Sequence, residues 1–510
     1  MSNFWQAIQY TLAGIRERVT NALGGVSLAS FGLGSPQYSN PWPPPQDRPR
    51  LASYQRFRQI YEGEHEEVFV RHGKYKYDEQ REYLTVNLCG EITNLLTDRL
   101  AGEAINIYAP GEDDPTQEFI DHLGAECDFE QFWVNWLTDT SPRGDGVLKV
   151  RYDAETEEVL IEQAPPSTYF VDGEEQMIAW MIWHDSKPYL RQEIHFPGRI
   201  ENRLFELHGS LLDGKMGFDA VKDRRELSLI PELQGLPDEQ PTGVDDILLV
   251  HVALGGGNRI WGRSDYTDID GLQGELNNRE TQRSEVLDKH AYPRMAGPRL
   301  FIDEGGNVAT LDDYIQVDSE SQIPQYVTWD AQLGPTENEI RELKRDICLV
   351  AGISPASLQE TEGGGPESGR ALRLREHRTA SAVRRRQKEY GPAIRRAVSL
   401  ATKLHNSKEI GDTWTPDVGD VTPLEPEDVR LEWHDGLPND TYQLVEQETM
   451  ATQAGLTSKF GALKRLYDLT DEQAEAELAR INDERRQGQR RVGFGPEMTP
   501  VAPEQGVEGG

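Results

Sequence analysis

The chain has 510 residues, 53 of them basic and 88 acidic, which gives a formal charge of −35 and a pI near 4.7. That sign excludes tight binding of nucleic acid over the whole surface, because such binding draws its affinity from neutralised phosphates. Cys89, Cys127 and Cys348 are too few and too far apart for a disulfide scaffold or a CxxC knuckle and fit a reducing compartment, and no apolar run approaches the roughly 20 residues of a membrane helix.

The length allows roughly three to four domains at about 150 residues each. Of the 53 basic residues 13 are lysine and 40 arginine. A lysine-poor, acidic chain repels itself in dilute buffer and is relieved at molar salt, so the composition suits a high-salt host. An acidic working surface encoded by an arginine-rich genome gives the same composition.

In chain order, Phe4, Ile8, Leu12, Ile15 and Val19 predict an amphipathic helix that Gly24-Gly25 stops. Arg16 and Arg18 interrupt its apolar pattern and no small-residue cleavage site follows, so a secretory signal is not expected. Six prolines within Ser35 to Pro49 predict a stiff extended arm. Globular sequence starts near Leu51, with a helix carrying Tyr54, Phe57 and Tyr61 that ends at Gly63. Tyr83 to Asn87 is strand-like, Ile92 to Leu100 helical, and two helices fit Thr116 to Leu123 and Phe129 to Leu137. Alternation predicts a hairpin from Gly146 to Gln163 and further strands at Met177 to Trp183, Arg191 to Phe196 and Ile200 to Glu206. This part reads as α+β.

From Asp265 to His290 the chain is helical without proline, and Asn277 to Glu285 holds no apolar residue. A helix polar all round bridges through solvent or packs on copies of itself by polar contacts. A small strand-and-turn unit follows between Pro293 and Pro335, then a helix that Thr336 and Glu339 would open as a capping box and Gly352 would stop. Gly352 to Gly369 is a glycine-rich loop exposing Gln359, Glu360, Thr361, Glu362 and Glu367 around Gly363, Gly364 and Gly365. A long helix runs from Arg370 to about His405, with a kink expected at Gly391-Pro392. Val429 to Trp433 is a strand, and Asp440 to Gln487 holds two or three helices, one opened by Thr470 and Gln473. The last residues, rich in Gly, Pro and Glu, are expected to be disordered.

Three motifs carry possible chemistry. Gly257 to Ser264 fits a phosphate loop, GxxxxGK[ST], except that Arg263 stands in the lysine position and Trp261 crowds the nest. The plainer reading is a glycine hinge leading into a helix. Arg143-Gly144-Asp145 would be an adhesion tripeptide in a secreted protein and is otherwise a turn before a strand. The long helix concentrates base: Arg370, Arg373, Arg375, Arg378, Arg384, Arg385, Arg386, Lys388, Arg395 and Arg396 stand against Glu376 and Glu389. They point in several directions around the helix, and suit either phosphate contact around DNA or ion pairs between subunits and domains. No HExxH or CxxC pairing supports a metal site.

Taken together, Gly262-Arg-Ser-Asp265 before the polar helix, the insert from Pro293, the helix ending in Leu349-Val350-Ala351-Gly352-Ile353-Ser354-Pro355, the glycine-rich loop, Glu367-Ser368-Gly369-Arg370-Ala371-Leu372, and Leu431-Glu432-Trp433-His434-Asp435-Gly436 resemble the portal (head–tail connector) proteins of tailed double-stranded DNA viruses. The likeness spans roughly Leu51 to Gln487. It implies an N-terminal helix and arm (1–50), an α/β wing (51–262), stem helices (263–292 and 335–352), a small β-containing clip (293–334), a tunnel loop (353–369), the long helix and return strand of the wing (370–439), crown helices (440–487) and a tail (488–510). It also implies a homo-oligomeric ring, expected to be a dodecamer, in the virion at one capsid vertex after assembly in the host cytoplasm. Its partners would be DNA passing through, the large terminase, a head–tail adaptor, and the major capsid and scaffolding proteins, with no membrane. Portal proteins have no catalysis of their own, so no catalytic residue, cofactor or metal is expected. The loop residues Gln359 to Glu367 would meet DNA, the basic helix would meet DNA or a neighbour, and Arg294, Arg299, Asp303, Glu304, Asp312 and Asp313 would dock terminase or adaptor.

Overall fold

The computed structural model describes residues 42–70, 83–111, 115–154, 156–172, 175–208, 220–255, 257, 259–291, 295–297, 314–316, 325–326, 333–358, 369–407, 421–434, 441–467, 469 and 473–482. The chain divides into two units, Met1–Gly436 and Leu437–Gly510.

Helix α1 (Arg48–Tyr61) carries Pro49 in its first turn, where a missing N–H breaks no intrahelical bond. Leu51, Tyr54, Phe57 and Ile60 fall on one face and are buried. The first two join Trp42 and Phe170 in one core, the last two a larger one, so α1 staples two cores together. After Tyr83 to Asn87, Asn87 caps α2 (Leu88–Ala101) by accepting from the Gly90 amide at 2.9 Å. Strand β1 (Asn106–Tyr108) and helices α3 (Pro115–Glu126) and α4 (Phe129–Arg143) follow. Trp133 and Trp136 of α4 lie fully inside the main core, beside Phe119, Ile120 and Leu123 of α3.

Strand β2 (Asp145–Asp153) is the middle of a three-stranded antiparallel sheet with β3 (Glu158–Ala164) and β10 (Leu249–Ala253). A second antiparallel sheet runs β4 (Tyr169–Asp172), β5 (Glu175–His184), β6 (Lys187–Phe196), β7 (Arg199–His208) and β8 (Ala220–Arg225), and β9 (Glu239–Pro241) pairs with β7. Asp185 and Ser186, at φ 48° and 61°, form the two-residue turn between β5 and β6, whose twist matches that of the strands. Alternation along β6 sends Leu190 and Ile194 into the Trp42 core and Arg191, Glu193 and His195 to the opposite face. There Glu193 receives Lys149 Nζ of β2 at 2.6 Å and His195 Nε2 at 2.8 Å.

Helix α5 (Asp270–Ala291) begins five residues later than expected, because residues 265–269 form turns in which Ser264 Oγ accepts from the Tyr266 amide. Strand β11 (Met295–Gly297) pairs parallel with β12 (Tyr314–Gln316) and antiparallel with β13 (Gln325–Tyr326). Helix α6 (Leu333–Ala351) begins earlier than expected, so Thr336 lies inside it and caps nothing; Glu339 instead reaches Arg279 Nε of α5 at 3.0 Å. Helix α7 (Gly369–His405) is a single 37-residue element with Pro392 inside it. Strand β14 (Arg430–Glu432) closes the unit by pairing antiparallel with β1, Leu431 opposite Ile107.

The second unit contains α8 (Thr441–Gln453), α9 (Lys459–Tyr467) and α10 (473–482). Arg465 grips Glu448 with two hydrogen bonds of 2.7 and 2.8 Å, joining α9 to α8, and Ala462 and Ala474 are buried. The mixed α+β class stands.

Candidate functional site

The glycine-rich stretch after β10 is a closed loop. The Arg263 amide donates to the Leu254 carbonyl at 2.8 Å, and the Leu254 amide donates to Gly144 at 2.8 Å. Gly144 ends α4 at φ +81°, a conformation that favours glycine, and a Cβ on Gly262 would run into the Gly144 carbonyl. Asp145, the next residue, is wholly buried. Its carboxylate accepts from Tyr54 OH at 2.5 Å, His251 Nε2 at 2.7 Å and the Gly262 amide at 2.8 Å. Burial first, and the neighbouring Asp145 charge after it, push the Tyr54 phenol well above its ordinary range, so it remains a donor. Arg50 lies 3.7 Å from the Trp261 ring centroid, pairs with Asp47 at 2.9 Å, and donates to the Pro166 and Tyr169 carbonyls.

This arrangement removes the phosphate-loop reading. Two amides of the motif donate inward, Gly262 to Asp145 and Arg263 to Leu254, and so do two that flank it, Gly255 to Glu389 Oε1 at 3.0 Å and Asp265 to Ser141 at 3.2 Å. Arg263 pairs with Asp268, and the buried Asp145 carboxylate at the Gly262 amide would repel an anion. The tripeptide Arg143-Gly144-Asp145 is likewise structural, with Arg143 buried on the last turn of α4 and its guanidinium lowered to about 10 by burial. Among the described residues no His, Cys, Asp or Glu cluster could hold a metal, and no helix is long and apolar enough to cross a membrane.

The polar face of α5 is the feature that the sequence presented and misassigned. Gln273, Asn277 and Thr281, spaced four apart on one side, are buried against the protein's own segment Tyr83 to Asn87. Gln273 accepts from the Cys89 amide at 3.0 Å and donates to the Val86 carbonyl at 2.6 Å. Asn277 Oδ1 accepts from the Val86 amide at 3.1 Å, while its Nδ2 donates to His65 Nδ1 at 2.7 Å. Thr281 Oγ1 accepts from the Leu84 amide at 3.1 Å. The predicted strand is therefore extended but enters no sheet; helix side chains take the place of a neighbouring strand. Neither solvent nor another copy is needed to explain this half of the polar stretch. The four-residue spacing of Gln, Asn and Thr was the available signal.

On α7 six of the described basic residues share one face. Arg378, Arg384, Arg385, Lys388 and Arg396 are exposed and Arg395 partly so. At 100° per residue these six span about 120° of the helix surface. Arg386 alone turns inward, pairing with Asp265 and with Glu389 at 2.6 Å. Arg396 lies 3.5 Å from Asp246, and Arg378 donates to the Leu349 carbonyl at 2.6 Å. Arg384, Arg385 and Lys388 have no ion-pair partner among the described residues. The side chains of Arg370, Arg373 and Arg375 lie outside the described residues. So do the loop residues Gln359, Glu360, Thr361, Glu362, Gly363, Gly364, Gly365 and Glu367, and the insert residues Arg294, Arg299, Asp303, Glu304, Asp312 and Asp313.

A cleft of about 430 Å³ between β1, α3 and α4 has no counterpart in the sequence reading. Asp121, Asp128 and Glu130 line it beside Ile107, Ile120 and Phe129, and Glu118 and Glu126 stand exposed on the same helices.

Residues 239–491, close to half the chain, match the family model described as phage portal protein, SPP1 Gp6-like. Two solved structures are similar at low identity. A chain in the neck of a native gene transfer agent (GTA) particle, computed with C12 symmetry, is 11% identical, covering 74% of this chain and 90% of that one at a TM-score of 0.37. A chain in the virion of a native GTA particle is 10% identical, covering 84% and 93% at a TM-score of 0.40. No curated protein sequence gives a match. The family match supports a phage portal-type structural protein, and that family is a structural virion component and not an enzyme.

Proposed function

We propose that copies of this chain form a ring, twelve in number, at one vertex of a viral capsid, through which double-stranded DNA is packaged, retained and later ejected. The observation that carries this reading is the order of elements inside the matched segment. Helix α5 leads into a small three-stranded unit, α6 returns against α5 through Arg279 and Glu339, and the long α7 packs behind them on the β2–β3–β10 sheet. In this assignment 51–262 and 370–439 form the wing, 263–292 and 335–352 the stem, 293–334 the clip, 353–369 the tunnel loop and 440–487 the crown.

A conduit for a polyanion must not hold its cargo, and a chain at −35 is poor glue for phosphate. The clip, with Arg294, Arg299, Asp303, Glu304, Asp312 and Asp313, would meet the terminase during packaging and the adaptor afterwards. The loop acids Glu360, Glu362 and Glu367 would face passing DNA by sliding contact. Capsid and scaffolding proteins would surround the wing, the subunit waiting in the host cytoplasm until assembly. The acidic, lysine-poor composition fits work at molar salt, where the Debye length falls to about 3 Å.

Negative-stain imaging with native mass measurement of the purified chain tests the reading. A closed ring with a central channel and a mass near twelve subunits is expected. A monomer or an open filament at all salt concentrations, from dilute buffer to molar KCl, would sink it.

A further inference from the structure

The outward face of α7 has a composition that calls for a protein partner. Arg378, Arg384, Arg385 and Lys388 are exposed, and the last three lack a carboxylate partner among the described residues although the chain carries 88 acids. Other bases of the same helix do find carboxylates: Arg386 pairs with Asp265, Arg396 with Asp246, and Lys403 with Asp246 and Glu425 at 3.1 Å each. Apolar surface adjoins the open bases. Arg378 is bonded to the carbonyl of Leu349, and Leu349 and Val350 at the end of α6 are 36% and 50% exposed. Arg385 lies beside Gly352, just after them. Arginine next to exposed aliphatic side chains is the composition of a protein interface; a phosphate backbone would cover the charges and leave Leu349 and Val350 wet.

The complementary surface is present on the same chain. The cleft between β1, α3 and α4 joins acid to apolar lining: Asp121, Asp128 and Glu130 beside Ile107, Ile120 and Phe129. Glu118 and Glu126 extend the acid beyond its rim, and none of these five carboxylates has an ion pair among the described residues. We propose that the basic face of α7, with Leu349 and Val350, docks onto the acidic α3–α4 cleft of a second copy of this chain. The two patches differ, so the contact is heterologous, the kind that generates a ring when its rotation closes. The inference rests on the ring reading above and names the surfaces that would build it.

Charge exchange tests the pairing. One variant, R384E/R385E/K388E, turns the basic face acidic; the other, D121K/D128K/E130K, turns the cleft basic. Each alone sets like against like and should raise the half-assembly concentration more than tenfold at about 0.1 M salt, while melting within a few degrees of the wild-type subunit. Mixed in equal amounts, each variant's face meets the other's cleft with opposite charge, and rings containing both should reappear. Wild-type assembly by either variant alone, or a folded mixture that stays unassembled, overturns the pairing. So does a basic-face variant that forms normal rings but loses retention of duplex DNA, since that would place the stripe against the channel. A wild-type chain that forms no ring fails the proposed function, an outcome separable from these.

Discussion

Helices α5 and α7 both present long polar faces, and the structure treats them in opposite ways. On α5 the polar groups facing residues 83–89 are neutral amides and a hydroxyl, and they are buried; on the outward face of α7 they are guanidinium and ammonium groups, and they stay in water. Desolvation explains the difference. A buried amide is compensated by two or three ordinary hydrogen bonds, whereas a buried cation needs a carboxylate with good geometry as well. Segment 83–87 supplies backbone donors and acceptors, which suit Gln273, Asn277 and Thr281 and would leave an arginine unpaired. Where a carboxylate is at hand, as Asp265 is for Arg386, the cation does turn inward. Polarity alone therefore does not mark a surface; the chemistry of the polar group does.

The sharpest way to break this contrast is at the buried end. Asp145→Ala strips an acceptor from Tyr54, His251 and the Gly262 amide at once, and should cost about 3–5 kcal/mol in urea unfolding. A loss below about 1 kcal/mol would mean that the carboxylate is not the anchor of the closed loop. Asn277→Leu keeps the volume of the α5 side chain while orphaning the Val86 amide and His65 Nδ1, and about 2–3 kcal/mol of destabilisation is expected. If Leu were neutral there, the ladder would be incidental.

Titration of the buried cluster on β6 comes next. Burial holds His195 below its ordinary pKa, so it is neutral in the fold, with Nε2 donating to Glu193. Burial alone would raise Glu193, but the His195 hydrogen bond and the Lys149 charge outweigh it and hold the carboxylate below its usual range. Both groups bind protons more readily when unfolded. Stability should therefore be full above about pH 6.5 and decline as pH falls, His195 acting first and Glu193 below about 4.5, each by at most about 1.4 kcal/mol per pH unit. His195→Gln should flatten the upper part of that decline in melting curves; an unchanged profile would assign it elsewhere.

The smallest expected effect lies on the open face. Replacing Arg384, Arg385 and Lys388 by Ala should change subunit stability by no more than about 0.5 kcal/mol each, because these side chains give up only water. A loss of several kcal/mol would show that they serve the fold and would remove the contrast with α5.

Much of the first unit was legible from periodicity. The three- and four-residue spacing of Leu51, Tyr54, Phe57 and Ile60, and the alternation through Met177 to Glu206, mark faces that must be buried, and both elements formed. Tyr83 to Asn87 alternates like a strand, but its partner is a helix nearly two hundred residues on, a pairing that no local pattern encodes. The capping box at Thr336 failed for the opposite reason: a sound local signal was overridden when the helix began earlier, at Leu333. At the glycine loop the motif was visible and its role was not, since the decisive group, Asp145, is more than a hundred residues away. The clustering of the α7 bases could have been read by projecting Arg378, Arg384, Arg385 and Lys388 on a helical wheel. The acidic cleft could not, because it exists only once β1, α3 and α4 come together.

The side-chain ladder on α5 also has a protective consequence. An extended segment with free amides is a template on which another molecule can add a strand, and that risk grows with the number of copies held close together. By covering the amides of Leu84 and Val86 with Thr281 and Asn277, the helix blunts an edge that would otherwise invite fibrous growth. Neighbouring copies are then left to recognise one another through side chains, which can specify an angle and a stopping point, and not through backbone, which specifies neither.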